Sequence, residues 1–370
     1  MIAKQINLKP QSKKPPIALI QAMMNFTNSL QQIRTKLMPP QVAMVEMINA
    51  YQVSQSIYVA AKLGIADLLS DGAKTSDQLA QMVGVDAPSL YRLLRALASF
   101  GIFAEDNGRF ELTPLAATLQ SNTPDSVRAW AIMSGDPWHW NVWGNLSKSV
   151  ETGKTAVEHI FDQPHIFAYF GQDAHAGKSF DQAMTNLATM NNDAIASGYD
   201  FSGIRQLVDI GGGYGSHLSM ILKANPHLKG VLFDQPTAIA GAKEFIAANG
   251  LSDRCELVAG DFFASVPSGG DAYLLKTVIH DWDYTNALKI LKNCRQAMAT
   301  GCKLLLVEAV IPPGNGAYFG KLVDLEMLTT SGGCERTEAE YRSLLADAGF
   351  ELTKVFSTAS PWKIIESVSI

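Results

Sequence analysis

The chain has 370 residues, 47 % of them hydrophobic and 18 % charged, which excludes a disordered or fibrous protein and supplies apolar material for more than one core. A net charge of −5 argues against general affinity for nucleic acid, and no apolar run approaches the ~20 residues of a membrane-crossing helix, so neither partner is expected. The cysteines Cys255, Cys294, Cys302 and Cys334 are scattered without a Cys-x-x-Cys pair, which predicts reduced thiols in a cytoplasmic protein.

Residues 1–40 form an arm that carries Lys4, Lys9, Lys13, Lys14, Arg34 and Lys36 and no acid. Lys13-Lys14-Pro15-Pro16 predicts a disordered start to a mobile or partner-draped segment, and Ile17–Leu37 suits a short amphipathic helix.

Residues 41–119 read as three helices and a hairpin, a winged helix. The apolar positions Ile57, Ala60, Ala61 and Leu63 stop at Gly64, and Thr75 caps a second helix that ends near Gly84. Ala87-Pro88-Ser89 opens a third, with Leu90, Leu93, Leu94 and Leu97 on one face, and residues 101–112 turn back at Asn107-Gly108. The helix that would read DNA offers only Arg92 and Arg95, and residues 41–115 hold five Lys/Arg against eight Asp/Glu. A phosphate-binding face needs the opposite balance. A dimerisation and substrate-wall role fits better.

Residues 120–200 predict a helical connector, broken by Pro124, Pro137 and Pro164 and dense in rings: Trp130, Trp138, Trp140, Trp143, Phe161, Phe167, Tyr169, Phe170 and Phe180. Most belong to a core; a minority suits a pocket for a flat apolar substrate.

From residue 201 strands alternate with helices. Strands are predicted at 207–210, 231–234, 255–258, 272–275 and 303–307, with helices between them at, for example, 238–249 and 286–299. That alternation is a doubly wound parallel sheet. A helix at 337–348 and strands at 351–357 and 362–367 complete it as a hairpin-like pair at the sheet edge.

The most telling segment is Leu207-Val-Asp-Ile-Gly-Gly-Gly-Tyr-Gly215. A buried strand runs into glycines, where the backbone can approach a ligand, and Ser216–Ala224 then begins a helix whose free N–H groups face the same place. A dinucleotide site would want a third glycine where Ser216 stands. Gly211, Gly213 and Asp234, which suits the two ribose hydroxyls, fit either cofactor. Three features favour S-adenosylmethionine, the first being that Asp209 lies inside the strand before the glycines. Asp261 with Phe262, after the third strand, suits the amino group and face of a purine. The fourth strand leads into Lys276-Thr-Val-Ile-His-Asp-Trp282, which brings ionisable groups to the rim where ligands bind. Methyl transfer chiefly needs alignment, and a phenol of pKa ~10 also needs a base. His280 is the candidate, with Glu308 and Glu335 placed to orient its ring. These side chains show no metal-ligand spacing, so no metal is expected.

Together Leu207-Val-Asp-Ile-Gly-Gly-Gly213, Phe233-Asp-Gln-Pro236, Gly260-Asp-Phe-Phe263, Leu275-Lys276, His280-Asp-Trp282, Glu308 and Glu335-Arg-Thr337 resemble the plant-type small-molecule O-methyltransferases, a family with bacterial antibiotic-tailoring members. The resemblance spans residues 41–370. It implies an α/β fold: a Rossmann-like class I methyltransferase sheet (residues 201–370) behind an N-terminal helical winged-helix dimerisation domain. It implies S-adenosylmethionine at Asp209, Gly211, Gly213, Asp234, Gln235, Asp261, Phe262, Lys276 and Trp282. The general base would be His280 between Glu308 and Glu335, with Asp281, Trp143, Phe180, Met184 and Met327 around the acceptor. A homodimer and a phenolic or enolic acceptor follow. The rival reading keeps the fold and binds the same cofactor without methylating, for hydroxylation, decarboxylation or a pericyclic step.

Overall fold

The computed structural model describes residues 17–123 and 126–370. The expected disorder at Lys13-Lys14-Pro15-Pro16 and the break at Pro124 lie outside the described residues.

The arm does contain a helix, Ile17–Leu37. Pro39 and Pro40 end it, because a proline restricts the residue before it and starts a helix well, and Pro40–Lys62 follows at once. An ion pair of 2.7 Å between Arg34 and Glu46 spans the corner. The winged helix is built as its sequence implies. Thr75 and Gln78 form a reciprocal capping box at the start of Ser76–Val83, Asp86 caps Ala87–Ser99, and Gly84 ends the first of these in a left-handed conformation. Strands Phe103–Asp106 and Arg109–Leu112 pair through Asn107 and Gly108, whose φ angles of 50° and 76° give the two-residue hairpin turn that matches strand twist. Leu79, Leu90, Leu94, Leu97, Phe103 and Phe110 close its core.

Among the described residues six helices make the connector: Arg128–Gly135, Pro137–Gly144, Leu146–Thr152, Ala156–Phe161, Ile166–Phe170 and Ala174–Ala196. Pro137 starts one of them at the position where its missing N–H costs nothing.

The large sheet has seven strands: β1 Gln206–Ile210, β2 Lys229–Asp234, β3 Cys255–Ala259, β4 Ala272–Lys276, β5 Lys303–Glu308, β6 Phe350–Ser357 and β7 Lys363–Ser369. Their order is β3-β2-β1-β4-β5-β7-β6. The first five are parallel. β6 and β7 form the expected antiparallel pair at the sheet edge, and β7 is the strand that pairs with β5. The strand order reverses between β1 and β4, so the turns that leave these two strands lie side by side at the rim.

Candidate active site

The glycine turn is shaped by what lies under it. A Cβ on Gly212 would stand 2.5 Å from both Asp209 Oδ2 and Leu232 Cδ1, so only bare backbone can cross the buried carboxylate. Gly211, at φ +70°, leaves no room for a side chain either: its Cβ would lie 2.8 Å from Val278 and 3.8 Å from the Phe262 ring. That crowding joins the turn after β1 to the turn after β4 and to Phe262. Asp234 ties in β2, accepting hydrogen bonds from Gly213 N (2.7 Å) and Gln235 N (2.6 Å). Gln235 is exposed at the start of the helix Pro236–Ala248. Asp261 accepts from Phe263 N at 2.8 Å and so fixes the turn that presents Phe262.

Below the turn lies a set of buried polar groups. Burial pushes Asp209 up to about 7 against the pull of the Lys276 cation, and burial lowers Lys276 while Asp209 and Glu308 oppose that change. His217, in the first turn of Ser216–Ala224, falls to about 3 through burial and the Lys276 charge, and is neutral. Among the described residues Asp209 Oδ2, both His217 ring nitrogens, Asn192 Oδ1 and Ser219 Oγ have no hydrogen-bond partner. Unpaired buried groups are costly and gather where a ligand belongs. Carboxylates beside a bare glycine backbone, with a ring facing the gap, fit a cationic amino-acid nucleoside such as S-adenosylmethionine.

The turn after β4 is held from below. Glu308, fully buried at the end of β5, accepts from Val278 N (3.2 Å) and Ile279 N (2.9 Å) through Oε1. This fixes the 3-10 turn Ile279–Asp281, and Thr277 enters it at φ +51°, a strained angle for a β-branched residue. His280 Nδ1 lies 2.7 Å from Glu335 Oε1 and 3.8 Å from Glu308 Oε2. Glu335 is thus the orienting partner; Glu308 contributes charge to the imidazole and hydrogen bonds to its backbone. With Nδ1 donating to the Glu335 carboxylate, the other ring nitrogen, Nε2, lies 3.6 Å from Asp281 Oδ1. Burial opposes the imidazolium, yet Glu308, Asp281 and Glu335 together outweigh it and raise His280 to about 10. Burial likewise lifts Glu308 to about 7 and Asp281 to about 6.

One expectation needs correction. The His and carboxylates were read as lacking ligand spacing, but folding brings donor atoms of His280, Glu308 and Glu335 within 4.8 Å of one another. Residues 28 and 55 positions from the histidine meet because β5 and the loop after Gly320–Thr330 converge on the turn. The 2.7 Å contact is a hydrogen bond between Nδ1 and the carboxylate; two ligands of one zinc, each at about 2.0–2.2 Å from the ion, stand farther apart.

The expected pocket residues divide into two groups. Trp282 meets Phe263 edge-on at 4.7 Å and stacks with Phe167 at 6.2 Å; Phe167 in turn meets Phe180 at 6.1 Å. Phe180 and Met184 pack in the connector core with Met133 and Trp138. An aromatic wall therefore runs from the connector to the residue two places after His280. Trp143 and Met327 belong to the helices that meet at Glu326. Trp143 Nε1 donates to Glu326 Oε2 at 2.5 Å, His139 Nε2 lies 2.9 Å from Oε1 of the same carboxylate, and the buried Met327 is its neighbour in sequence. Burial lowers His139, but Glu326 wins and its pKa is raised.

Sequence reasoning did not find Glu326, His139, Asp324, whose Oδ1 accepts from Glu335 N at 2.8 Å, or Trp362, edge-on to the imidazole at 6.2 Å. None stands in a motif that marks chemistry. Only their place in space does.

The β3-β2-β1-β4-β5-β7-β6 sheet, its glycine turn and the rim histidine define a class I methyltransferase, joined here to a winged helix. The O-methyltransferase domain family matches residues 143–351, and the O-methyltransferase dimerisation domain family matches residues 45–122. The chain belongs to the O-methyltransferase family and is an S-adenosylmethionine-dependent enzyme. It is 44 % identical over 335 residues to the phenazine O-methyltransferase of Lysobacter antibioticus, covering 90 % of this chain and 98 % of that one. The crystal structure LaPhzM, also 44 % identical, superposes with a TM-score of 0.86 over 90 % of this chain and all of that one. The mitomycin biosynthesis 6-O-methyltransferase of Streptomyces lavendulae is 36 % identical, over 85 % of this chain and 90 % of its own. A neocarzinostatin-biosynthesis O-methyltransferase solved with S-adenosylmethionine and 2-hydroxy-5-methyl naphthoic acid is 32 % identical, with a TM-score of 0.74 over 86 % and 96 % of the two chains.

Proposed function

We propose that this enzyme methylates a phenolic or enolic hydroxyl of a small planar aromatic natural product, with His280 as general base. The observation that supports the reading is the 2.7 Å contact between His280 Nδ1 and Glu335, which occupies one ring nitrogen and leaves Nε2 for an acceptor. Bound S-adenosylmethionine supplies a methyl group on a cationic sulfur with a good leaving group. Asp209, Lys276 and the Gly211–Gly213 backbone would hold its polar tail, Asp234 and Gln235 its ribose, and Asp261 with Phe262 its base. Trp282 would close the near side. The acceptor hydroxyl would give its proton to Nε2 as its oxygen takes the methyl, the S–CH3 bond breaking to leave the neutral thioether S-adenosylhomocysteine. Glu335 keeps the ring in the needed tautomer, and Glu308 stabilises the imidazolium that results. A sulfonium close by also repels that proton, which moves the imidazole back toward the range where it works as a base. Asp281 lies beside Nε2, and Phe180, Met184, Trp143 and Met327 are assigned to the acceptor walls. Such walls orient a flat ring and exclude water. The reading assigns residues 41–119 to dimerisation, 120–200 to the acceptor wall and 201–370 to the cofactor.

A homodimer belongs to the same reading. Leu19, Met23, Phe26, Leu30, Ile33 and Leu37 recur at alternating steps of four and three along Ile17–Leu37, and all are exposed in the single chain. Val42, Val45 and Ile48 continue the apolar surface on Pro40–Lys62. This spacing is a helix-pairing seam. It leads into the stretch matched by the dimerisation family. Cytoplasmic residence fits the four cysteines, all free. Among the described residues no helix is long and apolar enough to cross a membrane.

The test is incubation of the full chain with methyl-labelled cofactor and a set of flat acceptors: 1-hydroxyphenazine, 3-amino-4-hydroxybenzoate and dihydroxynaphthoates. Label in an O-methyl product is expected. Tight cofactor binding without label on any hydroxylated ring would favour the non-methylating reading.

A further inference from the structure

Arg336 is a buried cation whose guanidinium forms no salt bridge among the described residues. All its bonds go to main-chain oxygens. Nη1 donates to the carbonyls of Ile279 and Cys334, both at 3.1 Å, and Nη2 to that of Trp282 at 2.9 Å. Ile279 and Trp282 bracket His280, and Cys334 precedes Glu335. One planar group therefore grips the segment that carries the imidazole and the segment that carries its carboxylate.

A second feature works at the same seam. Gly333 presses against the turn so closely that a Cβ would stand 2.0 Å from the His280 carbonyl oxygen and 2.5 Å from Trp282 N. The backbone of Arg336 is itself fixed, since Ile311 N donates to its carbonyl at 3.0 Å beside the end of β5. Glu308 takes the N–H groups of Val278 and Ile279 on one side of the turn, and Arg336 takes the carbonyls on the other. The main-chain polar groups around His280 are thereby shared between a carboxylate and a guanidinium.

We propose that Arg336, seated by the close approach of Gly333, is a positioning residue that sets the His280–Glu335 distance by clamping residues 279–282 to residues 332–335. This deepens the reading of His280 as the base and rests on it. Lysine cannot replace the clamp, because a single ammonium lacks the flat fork that reaches three separate carbonyls.

Arg336→Lys and Gly333→Ala test it. The readouts are cofactor affinity by calorimetry, kcat with whichever hydroxylated aromatic is methylated fastest, and NMR titration of the His280 imidazole, assigned by its absence in His280→Gln. Both variants are expected to bind S-adenosylmethionine within about threefold of wild type and to lose about 10²-fold in kcat, the scale of a 1 Å misplacement. The His280 titration should fall toward that of an ordinary imidazole, as Glu335 no longer holds it; Glu308 and Asp281 are the other groups that face the ring. An unchanged titration in Arg336→Lys, or an unchanged kcat there while His280→Gln loses its turnover, overturns the clamp. Loss of cofactor binding in both variants also overturns it, because Arg336 would then support the fold as a whole. Should His280→Gln keep its turnover while Arg336→Lys still shifts the titration, the base assignment fails and the clamp stands.

Discussion

His280 is surrounded unequally by three carboxylates, and the inequality assigns their work. Glu335 makes the hydrogen bond, Glu308 lends charge while holding the backbone, and Asp281 adjoins the free nitrogen. The consequence for stability has a definite sign. An ordinary imidazole titrates at 6.5, whereas this one is raised to about 10 because the carboxylates outweigh its burial. A proton held more tightly in the folded chain stabilises the fold fully below pH 6.5, and that contribution is lost as pH climbs through about 10. In cofactor-free protein, the Tm difference between wild type and His280→Gln should be largest near about pH 6 and shrink toward about pH 10. A difference that stays flat over that range would contradict the ion-paired histidine.

At the scale of elements, two turns make the site, and each depends on absent side chains. Gly212→Ala would drive a methyl group into Asp209 and Leu232, both 2.5 Å away. Overpacking of this kind costs about 1–3 kcal/mol, so a lower Tm together with weakened cofactor binding is expected, and a variant with unchanged calorimetric affinity would sink this account of the turn. This is also where the sequence is most and least legible. β1 and its glycines can be read directly, because strand propensity and glycine need are local properties of Leu207 to Gly215. The histidine turn can be read as an interruption of strand-helix alternation after β4. The partnership of His280 with Glu335 spans 55 positions; the sequence offers Glu335 after Gly332-Gly333 as one of two candidate carboxylates, and only the folded chain shows which of them bonds the ring. Arg336 stood inside a quoted motif, yet nothing in its neighbours indicates that its guanidinium ends on Ile279 and Trp282. The Glu326 knot with His139 and Trp143 joins helices more than 180 positions apart, and no period in the sequence encodes such a contact. The edge pair of β6 and β7 could be read from two strands close in sequence, but that β7 and not β6 pairs with β5 could not, because both orders have the same alternation.

The whole molecule couples a rigid cofactor sheet to a winged helix that offers apolar surface. The seam on Ile17–Leu37 precedes the stretch matched by the dimerisation family, so it would extend the interface of a second copy. Its flanks are chiefly Asn, Gln, Ser and Thr, which suits pairing with another protein helix better than the charged face of a membrane-surface helix. Phe26→Asp with Leu30→Asp should raise the dimer dissociation constant by at least about 10²-fold, the scale of losing two buried large apolar contacts. Sedimentation equilibrium reads it, and unchanged association would remove this helix from the interface. The central claim, that the rim imidazole takes the acceptor's proton, is tested most directly by single-turnover methyl transfer across the alkaline range in wild type and His280→Gln, with cofactor saturating. The account predicts a wild-type rate that rises as the imidazole loses its proton, and a variant about 10²–10⁴-fold slower without that limb. Equal rates, or the same rising limb in the variant, would contradict it.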